Sequence, residues 1–248
     1  MDKALFISMT GAKNTMLAQA SHSNNLANIN TTGFKGEFAR QRSIPVFHGD
    51  GLPTRAFSIA ESQGTNFKHG AMIETGNDLD IAIESDGFIA VQAHDGQESL
   101  TRAGALHVDA LGVLRNGSGL PVMGNGGPIA IPAAEKIEIA VDGSITIVPL
   151  GQSANAPAVI DRIRLVTPPL DTIKKMGDGL FRVMNPEQDV PADPNVRIAS
   201  GFLEGSNVNA VDELVSVLGL SRQYEMQVKM MKTVKENSEA SARLLQIS

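Results

Sequence analysis

Residues that are mostly small or apolar recur at alternating spacings of four and three near the start of the chain: Leu5, Met9, Ala12, Met16, Gln19, Ser23 and Leu26. The spacing puts them on one stripe and predicts an α-helix from about residue 3 to residue 27. The alternation returns at the other end through Val217, Ser221, Tyr224, Val228, Met231, Lys235, Ser238, Ala242 and Leu245. Asn209 is placed to cap that second helix, with Asp212 and Glu213 in its first turn, where the helix dipole favours acids. At ~1.5 Å per residue it would run for roughly 50 Å. Neither stripe carries the Leu and Ile of a self-sufficient zipper; Ser, Ala, Met and Gln take those positions. The stripes alone leave two readings open: a seam completed by other subunits, or two helices packed on their own domain.

Between the ends the pattern shortens to short β-rich runs. "IAIES", "FIAVQ", "LHVDA" and "GVLRN" each have strand length, and "HDGQ" suits a hairpin turn. "KIEIAVDGSITIV" (136–148) predicts a hairpin with Asp142-Gly143 at its tip, and "DRIRLVTPP" and "GLFRVMN" add strands. All 12 prolines lie between Pro45 and Pro194, which keeps them out of both helical ends. Turn signals about every ten residues fit antiparallel strands rather than βαβ units. The expected fold class is α+β. N- and C-terminal helices form a coiled-coil-like pair around an inserted antiparallel β sandwich or irregular barrel, so the termini return to one place.

Composition narrows the function. A net charge of −6 argues against a nucleic-acid partner, which needs a basic face. Aromatics make up 4% of the chain, with no Trp and one Tyr, which weighs against a small-molecule pocket and substrate. The absence of Cys removes disulfides, thiolate catalysis and Cys-type zinc sites. "ALFISMTGA" (4–12) is too polar and too short for a secretory signal, because Asp2 cancels Lys3 and Ser8, Thr10 and Gly11 interrupt the run. It is expected to belong to the mature fold.

Candidate chemistry is sparse. His22, His48, His69, His94 and His107 show no metal-binding spacing and are expected on turns or the surface. Asp78, Asp80 and Asp86 lack the closing Glu of a calcium loop, and "GSGLPVMGNGG" (117–127) fits neither phosphate-binding pattern. No catalytic, cofactor-binding or metal residue is assigned, and no cofactor is expected.

The recognisable blocks lie elsewhere. "SNNLANINTTGFK" near the N-terminus resembles the signature of the flagellar rod, hook and hook-associated family. "EGSNVNAVDELVSVLGLSRQYEMQVKMMKT" (204–233) resembles that family's C-terminal signature, and "TGNDLDIAIESDGFIAVQ", "TRAGALHVDALGVLRNGSGLPVMG" and the 136–148 hairpin are similar to its shared β domain. Within the family, the short spacer at 44–83 resembles proximal-rod members, and a distal-rod subunit is the alternative. The resemblance implies a non-enzymatic subunit that polymerises along an axis and transmits torque. Its implied partners are copies of itself, other rod proteins and the flagellar type III export apparatus. It also implies a place in the basal body, in the rod that spans the periplasm, reached without a cleaved signal. An enzyme with a β-rich body and oligomerising helices is the reading from another class; converging acids or a metal would mark it.

Four segments are expected: residues 1–35 as N-terminal helix and Asn-rich junction, 36–75 as an extended spacer, 76–200 as the β domain, and 201–248 as C-terminal junction and helix. The resemblance makes the helices and junctions the assembly interface. On the stripes the candidates are Leu5, Met9, Met16, Leu214, Val217, Tyr224, Val228 and Met231. At the junctions they are Asn24, Asn25, Leu26, Asn28, Thr32, Gly33, Phe34, Lys35, Asn207 and Asn209. Neutral amides at a buried helix end can satisfy open carbonyls without bringing charge into a contact. Gly33 is expected to supply a positive φ for the turn before Phe34.

Overall fold

The computed structural model of the protein describes residues 4–46, 55–60, 64–150, 157–185 and 190–246. The expectations for Lys3, His48 and part of the 36–75 spacer fall outside those residues, as does the side chain of Leu245. The chain divides into two compact units. One comprises Met1–Ile29, Lys35–Phe67 and Val208–Ser248; the other comprises Asn30–Phe34 and Lys68–Asn207.

The first unit holds both helices. α1 is Ala4–Ala27. It is followed by the short strands β1 (Glu37–Phe38), β2 (Gln41–Val46), β3 (Arg55–Ala60) and β4 (Gly64–Thr65), with β1 paired to β4 and β2 to β3. α2 is Ala210–Gln246, and Asn209 caps it: its Oδ1 accepts the Val211 N–H at 3.0 Å. α1 and α2 pack antiparallel, since His22 and Asn25 of α1 meet Glu213 near the start of α2, while Thr15 meets Gln227 two turns and more further on.

The face of α1 that packs differs from the stripe expected from the apolar residues. Leu5, Met9 and Met16 are exposed, and the covered positions are Ser8, Ala12, Asn14, Thr15, Ala18, Ser21 and Asn25. Small residues let the α1 backbone come close to its neighbours: a Cβ at Gly11 would lie 3.0 Å from Gln227 Nε2. The long apolar side chains are left on the outward face. The β2–β3 hairpin, in the segment expected as extended spacer, leans on α1 through Asn14 Nδ2 and the Ser58 carbonyl at 2.7 Å. Pro45 inside β2 argues against a strand there, and the run of β3 is short.

The second unit is all β. Its strands are β5 (Met72–Glu74), β6 (Ile81–Ile83), β7 (Phe88–Gln92), β8 (Glu98–Thr101), β9 (Leu106–Val108), β10 (Leu114–Asn116) and β11 (Ala134–Ile139). They continue with β12 (Ser144–Pro149), β13 (Ala158–Arg162), β14 (Leu165–Val166), β15 (Ile173–Lys175), β16 (Phe181–Val183), β17 (Ile198–Ser200) and β18 (Phe202–Glu204). A five-stranded sheet runs β14-β7-β8-β16-β15, a three-stranded sheet runs β11-β12-β13, and β9–β10, β6–β17 and β5–β18 form antiparallel pairs. These antiparallel sheets do not close into a barrel. The predicted hairpin is β11–β12, and Gly143 at its tip has φ +85°, as the turn requires.

The apolar core lies in this unit: Ile81, Ile89, Val91, Leu114, Val122, Ile145 and Ile163 are each at most 1% exposed. Phe88 and Phe181 add a tilted ring contact with centroids 5.3 Å apart.

Aspartates fasten several turns of the β unit. The Arg115 guanidinium and the Val113 N–H hold the Asp109 carboxyl below its usual value; the Gln97 N–H does so for Asp95, the Ser144 hydroxyl for Asp142, and the Asn195 N–H for Asp193. A depressed folded value adds stability above the unfolded value of about 3.9, and that stability is lost as pH falls through the folded value. The melting temperature of the β unit is therefore expected to hold between neutral pH and about pH 5 and to fall below about pH 4. A calorimetric pH series on Asp109→Asn should show a shallower acid slope than the parent protein, and an equal slope would remove Asp109 from this account.

Candidate assembly interface

The Asn-rich segment ends α1 and is used within the chain. Asn28 closes the last turn on the Asn24 carbonyl, with its backbone N–H at 3.2 Å and its side-chain Nδ2 at 2.9 Å. Asn25, 2% exposed, treats Glu37 as one strand treats another: its Oδ1 accepts the Glu37 N–H at 2.8 Å, and its Nδ2 donates to the Glu37 carbonyl at 2.7 Å. The same Nδ2 lies 3.1 Å from Glu213 Oε1. Asn24 is exposed, while Leu26 and Asn28 are half-buried.

The turn that follows belongs to the β unit. Gly33 has φ +68°, and a Cβ there would lie 2.3 Å from the Arg102 carbonyl carbon, so both conformation and space require glycine. Its N–H donates to the Glu204 carbonyl at 2.7 Å, and the Phe34 carbonyl accepts the Asn207 N–H at 3.3 Å. The two signature segments, far apart in sequence, thus meet backbone to backbone. The Lys175 ammonium sits 3.8 Å from the Phe34 ring centroid. Asn207 Nδ2 donates to the Lys68 carbonyl at 2.9 Å. Thr32, Phe34 and Asn207 are half-buried, Asn209 is exposed, and Lys35 is buried.

Beneath this meeting point lies an ion pair that the spacing of charges does not reveal. Arg102 Nη1 and Glu204 Oε2 are 2.8 Å apart, with both side chains at most 3% exposed. Arg102 also donates from Nε to the Gly87 carbonyl (2.9 Å), from Nη2 to the Ser85 carbonyl (2.8 Å) and from Nη1 to His69 Nδ1 (2.8 Å). Its guanidinium carbon stands 5.5 Å from the Phe88 ring centroid. Glu204 Oε1 accepts the Gly70 N–H at 3.0 Å. Both charges therefore have the partners that burial demands. Arg102 and Glu204 lie inside blocks legible in the sequence, but a separation of 102 residues hides their pairing.

The helices present a different surface. Leu5, Phe6, Met9, Met16 and Leu17 of α1 are 40–64% exposed, and Val211, Leu214, Val215, Leu218, Met226, Val228 and Met230 of α2 are 41–66% exposed. Val217, Tyr224 and Met231 are half-buried and share a stripe with Glu213 and Gln227, which touch α1. Among the described residues, Ala12 and Ala18 are the only buried apolar side chains of the helical unit. The unit is held by small and polar contacts inside and carries its large apolar groups outside, against the usual direction of burial.

Comparison with known proteins points one way. Residues 5–35 match a family model described as flagella basal body rod protein, and residues 82–147 match the D1 domain of the flagellar hook protein FlgE/F/G. Residues 199–244 match the C-terminal model of the flagellar basal body rod FlgEFG proteins. The chain is 39% identical to the flagellar basal-body rod protein FlgF of Escherichia coli strain K12, over 100% of each chain. It is 38% identical to FlgF of Salmonella typhimurium, again over 100% of each. Identity to the rod protein FlgG of Agrobacterium fabrum is 32%, over 94% of this chain and 96% of the relative.

Removing one partner of the buried pair leaves the other charge unmatched. Arg102→Met and Glu204→Leu are each expected to lower the unfolding free energy of the β unit by about 3–5 kcal/mol, read by denaturant titration. The double variant should recover much of that loss, and a double-variant loss equal to the sum of the two single losses would show that the pair is not a unit.

Proposed function

We propose, for a chain that belongs to the flagellar basal-body rod protein family, that α1 and α2 are its assembly elements, pairing in coiled-coil fashion and packing their outward apolar faces against neighbouring subunits. The protein is a structural subunit of the flagellar basal-body rod. The observation that carries the finer reading is the inverted helical unit, polar within and apolar outside. A row of Leu, Met, Val and Phe exposed on two helices is costly in water and is relieved when several neighbours surround them.

Full-length likeness to FlgF of Escherichia coli and Salmonella typhimurium, at 39% and 38% identity against 32% for FlgG of Agrobacterium fabrum, supports a place in the proximal rod. There the subunit would polymerise along the axis with copies of itself and with other rod proteins and pass torque toward the distal rod and hook. The absence of Cys suits a shaft that crosses the periplasm, and delivery there would fall to the flagellar export apparatus. The role is structural rather than catalytic. In this scheme Leu5, Met9, Met16, Leu214 and Val228 make contacts directly. Asn25, Gly33 and Lys35, buried in the subunit, act by fixing the segments that carry them, and Tyr224 acts at the seam between the helices.

Charge on the outward faces tests the scheme. Met9→Asp and Leu218→Asp should each abolish swimming in a strain carrying only the variant, with export unchanged and the melting temperature of the β unit within about 1 °C of the parent. Swimming at parental speed with both variants would remove the outward faces from the interface.

A further inference from the structure

The seam between α1 and α2 carries Val217, Tyr224 and Met231 on its α2 side, but no large buried apolar side chain on its α1 side to lock them in register. Its α1 side consists of small and polar residues, and such a surface can slide by a helical turn with little change in buried apolar area. One acid interrupts that uniformity. Glu213, in the first turn of α2, pairs with His22 Nδ1 through Oε2 and with Asn25 Nδ2 through Oε1 at 3.1 Å. The two partners stand three residues apart on one face of α1. Asn25 is anchored in turn to both backbone groups of Glu37 in β1. Side-chain exposure is 26% for His22 and 16% for Glu213, so the contact is largely removed from solvent.

We propose that His22, Asn25 and Glu213 form a polar clasp that sets the register and antiparallel alignment of the two helices. A buried polar contact is well suited to this task, because a shifted alignment takes the Glu213 carboxylate away from both its imidazole and its amide partner, while Asn25 stays fixed on Glu37. The clasp acts at the end of α1 tied to β1, so it fixes where α2 begins relative to the hairpin strands. Gln227, which lies 3.4 Å from the Thr15 hydroxyl, is a weaker second stop further along. The register determines which outward residue of α2 lies level with each outward residue of α1. His22, Asn25 and Glu213 are thus positioning residues for assembly, a role that rests on the reading of the outward faces as the interface.

The absence of native cysteines allows a direct test on the full chain. Spin labels placed at Lys13→Cys and Lys229→Cys, both exposed positions on the two helices, report their alignment through the distance between the labels. The parent should give one narrow distance. Glu213→Leu should broaden it or shift it by about 5 Å, one helical turn. The exchange variant His22→Glu with Glu213→His should restore the narrow parental distance, a rescue that packing alone would not give. A parental distribution in Glu213→Leu, or no recovery in the exchange variant, would overturn the clasp. Swimming measured on the same variants separates the two readings. Loss in Glu213→Leu with recovery on exchange supports both. A shifted register with normal swimming keeps the clasp and sinks the outward-face interface.

Discussion

The buried pair of Arg102 and Glu204 is the contact on which the β unit's organisation turns. Five stretches of chain converge on it: the Gly33 turn, Gly70, the Ser85–Gly87 turn, the end of β8 and β18. Neither charge could be buried alone, so each recruits backbone groups from a different stretch until its hydrogen bonds are complete. The cost of desolvation is thereby converted into a geometric specification. The segment after α1 and the segment before α2 must meet at this point, because Gly33 and Glu204 join backbone to backbone beside the ion pair.

The two units obey opposite rules. In the β unit, isoleucine, leucine and valine from antiparallel strands are removed from water in the usual way, and charges are buried only as a satisfied pair. In the helical unit, alanine, serine, threonine and asparagine fill the interior, and methionine, leucine and valine face outward. A subunit built this way keeps one part finished and leaves the other with unspent apolar surface. That division fits a structural element of a polymer better than a self-contained globule.

Much of this was legible in the sequence. The extents of α1 and α2, the Asn209 cap, the β11–β12 hairpin and the positive φ of Gly33 follow from local rules of spacing, capping and turn chemistry. The strands β6, β7, β9 and β10 lie within the runs that have strand length. What stayed hidden was non-local. Periodicity gave the α1 stripe its period but left open whether its large apolar side chains meet their own domain or other subunits; Leu5, Met9 and Met16 lie exposed. His22 and His69 read as ordinary surface histidines, because their partners Glu213 and Arg102 lie 191 and 33 residues away. The pairing of β2 with β3 escaped because a proline stands inside β2 and the strands are short.

The pairing of β6 with β17 and of β5 with β18 bears on the order in which the molecule can fold. Ile83 waits for Ile198, and Glu74 waits for Phe202. Closing loops of that length is entropically unfavourable until the late strands are present, and it slows folding relative to local hairpins. A chain supplied from its N-terminus can form the β11–β12 hairpin early, but it cannot close its core edge or bury Arg102 against Glu204 until nearly the whole β region has arrived. Topology alone therefore keeps these long-range pairings open in a partly delivered chain until its last β strands arrive.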